Sequence, residues 1–210
     1  MKRTGVWGGR TTEERRAERR DRMIAAAIDI WSEHGWAAIT MRGVCSRTSL
    51  SDRYFYDEFT DRDGLLVAVW QSIQDGVLGA VATAYAQGGP RTNWEELTRA
   101  ATTVLVDQII AEPAKAKILL SRNEGSQILE SHRRGSFQNA IELVLAAAKP
   151  RLKPGFDEEA LRMDVVIAVG GFIELLRAWQ SGMITVDSTR IVEHTCGFVS
   201  RFGGRYLQSH

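Results

Sequence analysis

Between residues 23 and 66 the chain carries three short helical patterns separated by tight breaks, and this arrangement limits the possible folds more than any other feature. The first pattern has four apolar residues on one face at helical spacing: Ile24, Ala27, Ile28 and Trp31. Gly35 is placed to end that helix, and Thr40 is an N-cap candidate for the second. A turn at Thr48-Ser49 precedes a third helix that starts near Ser51. Two short helices joined by a tight turn after a longer one predict a helix-turn-helix unit.

The rest of the chain also shows helical spacing, interrupted by breaks at Gln87-Gly88-Gly89-Pro90, at Gly125, at residues 149–155 and at Gly182. Residues 165–169 favour a strand by composition, but they lie inside a 3.6-residue pattern and we predict that they are helical. We therefore predict an all-α fold of about nine helices with no strand.

Composition agrees with an ordinary globular protein, with 210 residues, 44% hydrophobic and 25% charged. The sequence contains no run of 18 apolar residues, so it predicts no membrane-spanning helix. Residues 1–10 lack the apolar core of a signal peptide, and we therefore expect a cytoplasmic protein. The two cysteines, Cys45 and Cys196, lie in apolar helical patterns and are interpreted as small buried hydrophobes rather than as a disulfide.

Charge is unevenly distributed along the chain. Residues 1–22 hold eight basic and four acidic residues, a net charge of +4, whereas the other 188 residues sum to −3. The segment could be a solubilising tail or a solvated helix face, but a cationic arm also indicates contact with phosphates. Under that hypothesis the arm supplies non-specific affinity, and deleting residues 1–22 weakens binding and flattens its salt dependence.

Several short motifs fall at the spacing of one known family. They are Met23 to Trp31, Gly35-Trp36, Thr40-Met41-Arg42, Leu50-Ser51, Phe55-Tyr56, Phe59 and Leu65-Leu66. Together they resemble the TetR family of transcriptional regulators over about a fifth of the chain. Beyond Leu66 only the length and the order of helices are similar to that family.

The resemblance implies three regions. Residues 1–22 would form a basic, partly disordered arm, residues 16–66 the DNA-binding domain with its motif at about 39–59, and residues 67–210 an effector-binding and dimerisation domain. The function implied is a sequence-specific regulator, expected to be a repressor that a small molecule releases from its operator.

The second helix of such a unit braces the third in the major groove of DNA. Base edges would be read by Ser51, Asp52, Arg53 and Tyr54. Phosphates would be bound by Thr40, Arg42, Tyr56 and Arg62. Other interpretations stay open, because Arg42 and Arg62 could be solvated surface charges and Tyr54 could pack within the domain. Asp52 could instead cap the third helix or pair with Arg53.

Three residues depart from the family pattern. Ser49 replaces the usual turn glycine, so a left-handed conformation there would cost about 1 kcal/mol. Asp57 and Glu58 put two acids where the family often has a phosphate-binding side chain, and they would repel phosphate if they faced it. The sequence leaves open whether they face DNA.

In the second domain, large aromatic residues mixed with a few amides indicate an apolar or amphiphilic effector. The expected lining is Trp70, Gln74, Trp94, Gln108, Ile109, Leu120, Asn123, Phe137, Ile141, Phe172 and Leu176. Effector binding is expected to change the spacing of two DNA-reading heads through the fourth helix.

The last two helices carry apolar faces and are expected to form a homodimer. The face on the first is Val165, Ile167, Val169, Phe172, Leu175, Leu176 and Trp179. The face on the second is Ile191, Val192, Thr195, Phe198, Val199 and Phe202. Gly170-Gly171 would let another helix approach closely, and a two-fold dimer suits a pseudo-palindromic operator.

The sequence has two alternative interpretations, an all-α enzyme and a helical adaptor. An all-α enzyme is disfavoured because His34, His132, His194 and His210 lack metal-ligand spacing and no known catalytic motif is present. The sequence therefore predicts no catalytic residue, no metal and no cofactor. A helical adaptor that binds proteins rather than DNA is the second alternative, and a DNA-binding assay would distinguish it from a regulator.

Overall fold

A computed structural model describes residues 11–89 and 92–208. In these ranges the chain forms nine α-helices, as the sequence predicted, and no named strand. Short 3-10 turns at Trp36–Ala38 and Lys149–Arg151 and a single antiparallel bridge between Leu152 and Leu207 complete the regular structure. The helices are α1 (Thr12–His34), α2 (Met41–Thr48), α3 (Asp52–Glu58), α4 (Arg62–Gln87), α5 (Trp94–Ala111), α6 (Pro113–Leu120), α7 (Gln127–Ala148), α8 (Glu158–Gln180) and α9 (Ser188–Tyr206).

Helix starts follow their capping residues. Thr11 and Glu14 form a capping box at the start of α1, in which the Glu14 amide donates to Thr11 Oγ1 (3.1 Å) and the Thr11 amide donates to a Glu14 carboxylate oxygen (2.6 Å). Asn93 caps α5 through the amide of Glu96 (2.9 Å). Residues 165–169 lie within α8, so the helical interpretation of that segment is confirmed.

Judged by its internal contacts, the chain forms two compact units. The first ends at Ser72 and also includes the segment Asn123–Leu129, and the second comprises Ile73–Arg122 and Glu130–His210. The predicted boundary lay at residue 66, so α4 continues for six residues in the first unit beyond it. The chain therefore passes from one unit to the other within α4 and again on either side of the segment 123–129.

The core of the first unit joins the apolar face of α1 to α2, α3 and the start of α4. Its most buried residues, each no more than 1% exposed, are Met23, Ala27, Ile39, Val44, Phe55, Leu65, Leu66, Val69 and Leu129. Leu129 comes from the inserted segment, in which Asn123 and Gly125 both have positive φ (51° and 89°). A Cβ on Gly125 would lie 3.8 Å from Trp36 Cζ2, so the segment passes close to the 3-10 turn after α1.

The second unit has two apolar clusters. One contains Val106, Ile109, Leu120, Leu176, Ile191 and Cys196, with Phe172 and Trp179 packed against it. The other contains Ile141, Leu161, Val165, Tyr206 and Leu207, with Trp94 and Phe137 packed against it. Both cysteines are buried and free, as the sequence predicted.

Arginine side chains close several helix ends, where carbonyl groups have no partner within the helix. In the second unit Arg151 is 7% exposed and donates to the carbonyl oxygens of Gly89, Thr92 and Ala147, each at 3.0 Å. Arg177 Nε donates to the carbonyl of Leu120 (2.8 Å), the last residue of α6. These cations stabilise the negative ends of the helix dipoles as well as the bare carbonyls.

Among the described residues only α4 is long and apolar enough to cross a membrane, by length and composition alone; its most apolar window has a mean hydropathy of 1.4. Several of its apolar side chains, including Leu65, Leu66 and Val69, are fully buried within the protein. The apolar character of α4 therefore matches its place in the core.

Candidate nucleic-acid interface

The helix-turn-helix predicted from the sequence is present in the first unit. Thr40 Oγ1 accepts from the amide of Gly43 (3.0 Å) and so caps α2. Ser49 adopts the left-handed conformation (φ 55°, ψ 34°), and the following Leu50 amide donates to the carbonyl of Cys45 (3.1 Å). A serine thus takes the strained position that glycine would occupy without cost, as expected from the sequence.

Helix α3 places its polar residues outward and its phenylalanines inward. Phe55 and Phe59 are 1% and 4% exposed, and their ring centroids lie 5.4 Å apart. The predicted base-reading residues Ser51, Asp52, Arg53 and Tyr54 are all exposed, and so is Tyr56. The buried phenylalanines fix which side of α3 faces outward, so that one short helix presents an arginine and two tyrosines to solvent.

Thr40 and Arg42 lie at the start of α2, and both are exposed. They are therefore accessible to a phosphate. Burial first, and the Asp52 carboxylate second, raise the pKa of the Cys45 thiol.

Arg62, at the start of α4, is more enclosed than the sequence predicted. Its Nε donates to the carbonyl of Ile39 (2.6 Å) and its Nη2 to the carbonyl of Trp36 (2.8 Å). The guanidinium carbon also lies 5.3 Å from the centre of the Trp36 ring. Arg62 therefore braces the 3-10 turn and the entry to α2, a role that the sequence did not predict, and its phosphate contact stays a prediction.

The arginines in the first half of α1 contact α3, a structural role that was not predicted from the sequence. Arg16 Nε donates to both carboxylate oxygens of Glu58 (2.9 and 3.1 Å), and its Nη2 donates to the carbonyl of Asp57 (2.8 Å). Arg20 Nη1 donates to the carbonyl of Glu58 (3.1 Å). The spacing of four between Arg16 and Arg20 puts both on one face of α1, and this spacing was the signal that could have identified the contact.

Two more arginines of α1 contact the helix-turn-helix. Arg22 Nη2 donates to the carbonyl of Thr48 (2.6 Å), the last residue of α2. The guanidinium carbon of Arg19 lies 4.6 Å from the centre of the Tyr54 ring. Residues 12–22 are therefore part of helix α1, while Lys2, Arg3 and Arg10 lie outside the described residues, so the role of residues 1–22 as a basic arm stays a prediction.

The position of residues 12–22 within α1 changes the expected result of deleting residues 1–22. The deletion would remove the first half of α1 together with the contacts of four arginines to α2 and α3. A loss of DNA binding would then report loss of structure as well as loss of charge. Replacing only Lys2, Arg3 and Arg10 tests the electrostatic role of the segment without this complication.

The helix-turn-helix region is similar to a known protein family. Residues 23–69 match the family model described as "Bacterial regulatory proteins, tetR family". This part of the chain is therefore similar to the TetR family, whose members are DNA-binding transcription regulators. The similarity favours a regulator over an enzyme.

Solved structures of TetR-type proteins share the fold over almost the whole chain. A TetR-like regulator from Rhodococcus sp. RHA1 is 19% identical, with a TM-score of 0.70 over 90% of this chain and 97% of that one. The fatty acid degradation regulator FadR from Bacillus halodurans is 17% identical, with a TM-score of 0.68 over 85% and 96%. A complex of SmeT with triclosan is 15% identical, with a TM-score of 0.65 over 90% and 92%. No curated protein matches the chain by sequence.

The expected effector residues lie in several parts of the structure, and their role stays a prediction. Ile109, Leu120 and Leu176, with Phe172, belong to the first cluster of the second unit, whereas Ile141, Trp94 and Phe137 belong to the other. Gln74 accepts a hydrogen bond from Ser136, and Gln108 is half-buried. Trp70 and Asn123 fall in the first unit and are buried there.

One further aromatic residue lies beside the expected effector residues. The Tyr85 ring stacks on that of Trp94, with centroids 6.2 Å apart and planes 10° from parallel. Burial raises the pKa of Tyr85 to about 12. Tyr85 was not among the expected effector residues. Its position three residues before the predicted break at Gly88 placed it at the end of a helix.

The expected dimer face on α8 and α9 is only partly exposed. On α8, Ile167 is 59% exposed but Val165 and Leu176 are buried. On α9, Phe198 is 38% exposed, whereas four residues are less exposed: Ile191, Val192, Thr195 and Val199. The side chain of Phe202 lies outside the described residues. Met163, which the sequence analysis did not include, extends the exposed face of α8 at 61% exposure.

Proposed function

We propose that this protein is a cytoplasmic, homodimeric repressor of the TetR family that reads a pseudo-palindromic operator and leaves it when a small apolar or amphiphilic molecule binds. One observation carries the DNA-reading part. Helix α3 exposes Arg53, Tyr54 and Tyr56 over a face fixed by the buried Phe55 and Phe59.

In the proposed complex the exposed first turn of α3 enters the major groove. Arg53 donates two hydrogen bonds to a guanine edge, the commonest base-specific contact of an arginine or lysine. Ser51, Asp52 and Tyr54 contact neighbouring bases, and Asp52 accepts from a cytosine amino group. These contacts account for sequence preference, which the phosphate contacts do not supply.

Phosphates are bound by the residues on either side of that turn. Thr40 and Arg42 bind from the start of α2, and Tyr56 donates its hydroxyl from α3. Arg62 contributes through its position at the start of α4, where the helix dipole also favours an anion. Since two nitrogens of Arg62 already donate to carbonyls, we expect it to contribute less to affinity than Arg42.

Dimerisation through α8 and α9 gives the two heads that a two-fold operator needs. The exposed apolar side chains Met163, Ile167 and Phe198 support this assignment. Gly171 adds to it, because a Cβ there would meet no atom within 4 Å and the backbone of α8 is open to close approach. A partner helix can therefore pack directly against this stretch of α8.

We place the effector among the aromatic residues of the second unit, including Trp94, Phe137 and Tyr85. Triclosan bound to SmeT is a small, largely apolar molecule of the class expected here. An effector acts only if its affinity differs between the DNA-bound and the free conformations. Helix α4, which belongs to both units, provides a continuous connection for that coupling.

The test begins with the duplex that the wild-type protein selects from a randomised DNA pool. We expect Arg53→Ala to weaken binding to this duplex by roughly 10- to 100-fold and to change the selected sequence, since a bidentate contact contributes about 1–3 kcal/mol of discrimination. Arg134→Ala removes an equal charge from an exposed position on α7 and is the matched control, which should bind as the wild type does.

Selection of no duplex, together with the absence of salt-dependent binding to any DNA, would contradict the proposal and favour a protein-binding adaptor. The effector part has a separate test, in which the dissociation constant is measured with and without saturating triclosan as a probe of the class. Release of the duplex supports the effector site, and an unchanged constant over a series of apolar and amphiphilic probes argues against it.

A further inference from the structure

The carboxyl end of the recognition helix α3 is held by α1 through a set of contacts that the DNA-reading function does not itself explain. Glu58 is acidic and lies in a domain that binds a polyanion, yet its side chain is only 3% exposed and is paired with Arg16. The neighbouring Asp57 has an exposed carboxylate, and only its carbonyl oxygen is used by Arg16. The two adjacent acids therefore have different environments.

The geometry of the Arg16 contact fixes an orientation as well as a distance. The Nε atom meets both carboxylate oxygens of Glu58 while Nη2 meets the carbonyl of Asp57, so one planar group is held at three points. Arg20 adds a bond to the carbonyl of Glu58 and lies 4.7 Å over the ring of Phe59. These cations also lie at the negative end of the α3 dipole.

Helix α1 also contacts the opposite end of α3. The guanidinium carbon of Arg19 lies 4.6 Å from the centre of the Tyr54 ring, in the first turn that is proposed to read bases. Contacts at both ends restrict rotation of α3 about its own axis and tilt relative to α1. Such rotation would move Arg53 out of register with a base edge, because recognition needs two aligned hydrogen bonds.

We propose that Glu58 is a positioning residue for operator recognition, acting with Arg16 to fix the orientation of α3 against α1. Glu58 does not touch DNA; it acts through Arg16. The inference rests on the proposed DNA-reading function and deepens it. It also explains why an acid near the DNA surface supports binding rather than opposing it.

Electrostatics alone and positioning make opposite predictions for Glu58→Gln. Removing a negative charge near a polyanion should tighten binding to every duplex if repulsion is the only effect. Under the positioning role the neutral amide cannot pair with Arg16 as the carboxylate does, and operator binding weakens. Asp57→Asn is the matched control, because it removes the same charge one residue away from an exposed side chain.

The experiment measures the dissociation constants of wild type, E58Q and D57N for the selected duplex and for a shuffled duplex of equal composition. For E58Q we expect operator binding about tenfold weaker and shuffled-duplex binding unchanged or slightly tighter, since coupled side chains commonly differ by factors of this size. For D57N we expect both duplexes to bind roughly two- to threefold tighter. A partly unfolded variant would lose affinity for both duplexes equally, so the ratio separates positioning from folding.

A second variant examines the same contact from α1. Arg16→Lys keeps the charge but cannot form the planar three-point contact. We expect it to lower the operator-to-shuffled ratio as E58Q does, with an unchanged salt slope. Operator binding by E58Q that tightens as in D57N, or full operator affinity in R16K, would overturn the inference while leaving the proposed function intact. Failure of the wild type to select any duplex would instead overturn the proposed function, and the inference with it.

Discussion

The four tyrosines of the chain divide evenly between the two units and are used in opposite ways. In the first unit Tyr54 and Tyr56 are 39% and 61% exposed, on the outer side of α3. In the second unit Tyr206 is 7% exposed and donates to Asp164 (2.7 Å), and Tyr85 is enclosed enough for its pKa to rise to about 12. The tyrosines of the first unit are accessible from solvent, whereas those of the second unit are enclosed within the protein.

Two arginines that bind other residues also differ in exposure between the two units. The Arg16 side chain is 60% exposed and is paired with Glu58. This contact between α1 and α3 therefore lies at the protein surface. Arg151 closes three carbonyls of the second unit while only 7% exposed. Arginine hydrogen bonds therefore hold a surface helix in the first unit and bind carbonyl groups from a buried position in the second. Replacing an arginine should lower the free energy of unfolding by different amounts in the two units.

The largest contrast is expected between Arg151→Met and Arg22→Met. Methionine at position 151 would remove a buried guanidinium that three carbonyls share as a donor, and we expect the free energy of unfolding to fall by about 3 kcal/mol. At position 22 one carbonyl becomes open to water near an exposed side chain, and a loss below about 1 kcal/mol is expected. Urea unfolding followed by circular dichroism measures both.

Equal losses for the two arginine variants would remove the distinction between a surface contact and an interior one. A large loss in R22M alone would show that the arginines of α1 carry most of the stability of the first unit. Either outcome would change the comparison between the units, and unfolding recorded at two probes would show which unit responds.

The tyrosine contrast is tested by alkaline titration. Burial raises the pKa of Tyr85 to about 12, above its ordinary value of 10, so the folded protein favours the neutral phenol. The resulting stability is fully present below pH 10 and is lost as pH rises through the folded pKa. Relative to pH 7, Tyr85→Phe should reduce the loss of stability at high pH by about 1–3 kcal/mol.

The matched measurement is the same variant at pH 7, where Tyr85 is neutral in both states and Y85F should unfold at nearly the wild-type urea concentration. Absorbance at alkaline pH reports the phenol itself. If wild type and Y85F lose stability in parallel between pH 9 and 12, the Tyr85 hydroxyl is not enclosed as described, and the contrast with Tyr54 and Tyr56 weakens.

The sequence predicted the first unit in more detail than the second, for a physical reason. In the head, local signals determine the result: Thr40 caps α2, and Phe55 sets the buried side of α3. Those signals act within a few residues and can be read from spacing. The contact between Arg16 and Glu58 joins residues 42 positions apart, and no local pattern specifies that kind of pairing.

In the second unit the helices were predicted but the grouping of their side chains was not. Helical spacing identifies an apolar face without saying which other helix will cover it, so the sequence did not predict that Phe172 packs against one apolar cluster and Phe137 against the other. The assignment of Asn123 and Leu129 to the first unit was also missed. Both depend on tertiary packing over distances that the sequence pattern does not encode.

The smallest effect is expected at the turn of the helix-turn-helix, where one residue departs from the family pattern. Ser49 has φ 55°, a conformation that costs a side-chain-bearing residue about 1 kcal/mol relative to glycine. Ser49→Gly should therefore raise the free energy of unfolding by about 0.5–1 kcal/mol, after the greater entropy of the unfolded glycine chain is deducted. Ser46→Gly, at an exposed position inside α2, should lower it by a similar amount. Thermal unfolding of the two variants beside the wild type measures the opposite signs, and destabilisation by both would mean that the turn carries no strain for glycine to relieve. Because Ser49 lies between α2 and α3, opposite signs would also show that the first unit can gain stability at this exposed turn without any change to the buried side of α3.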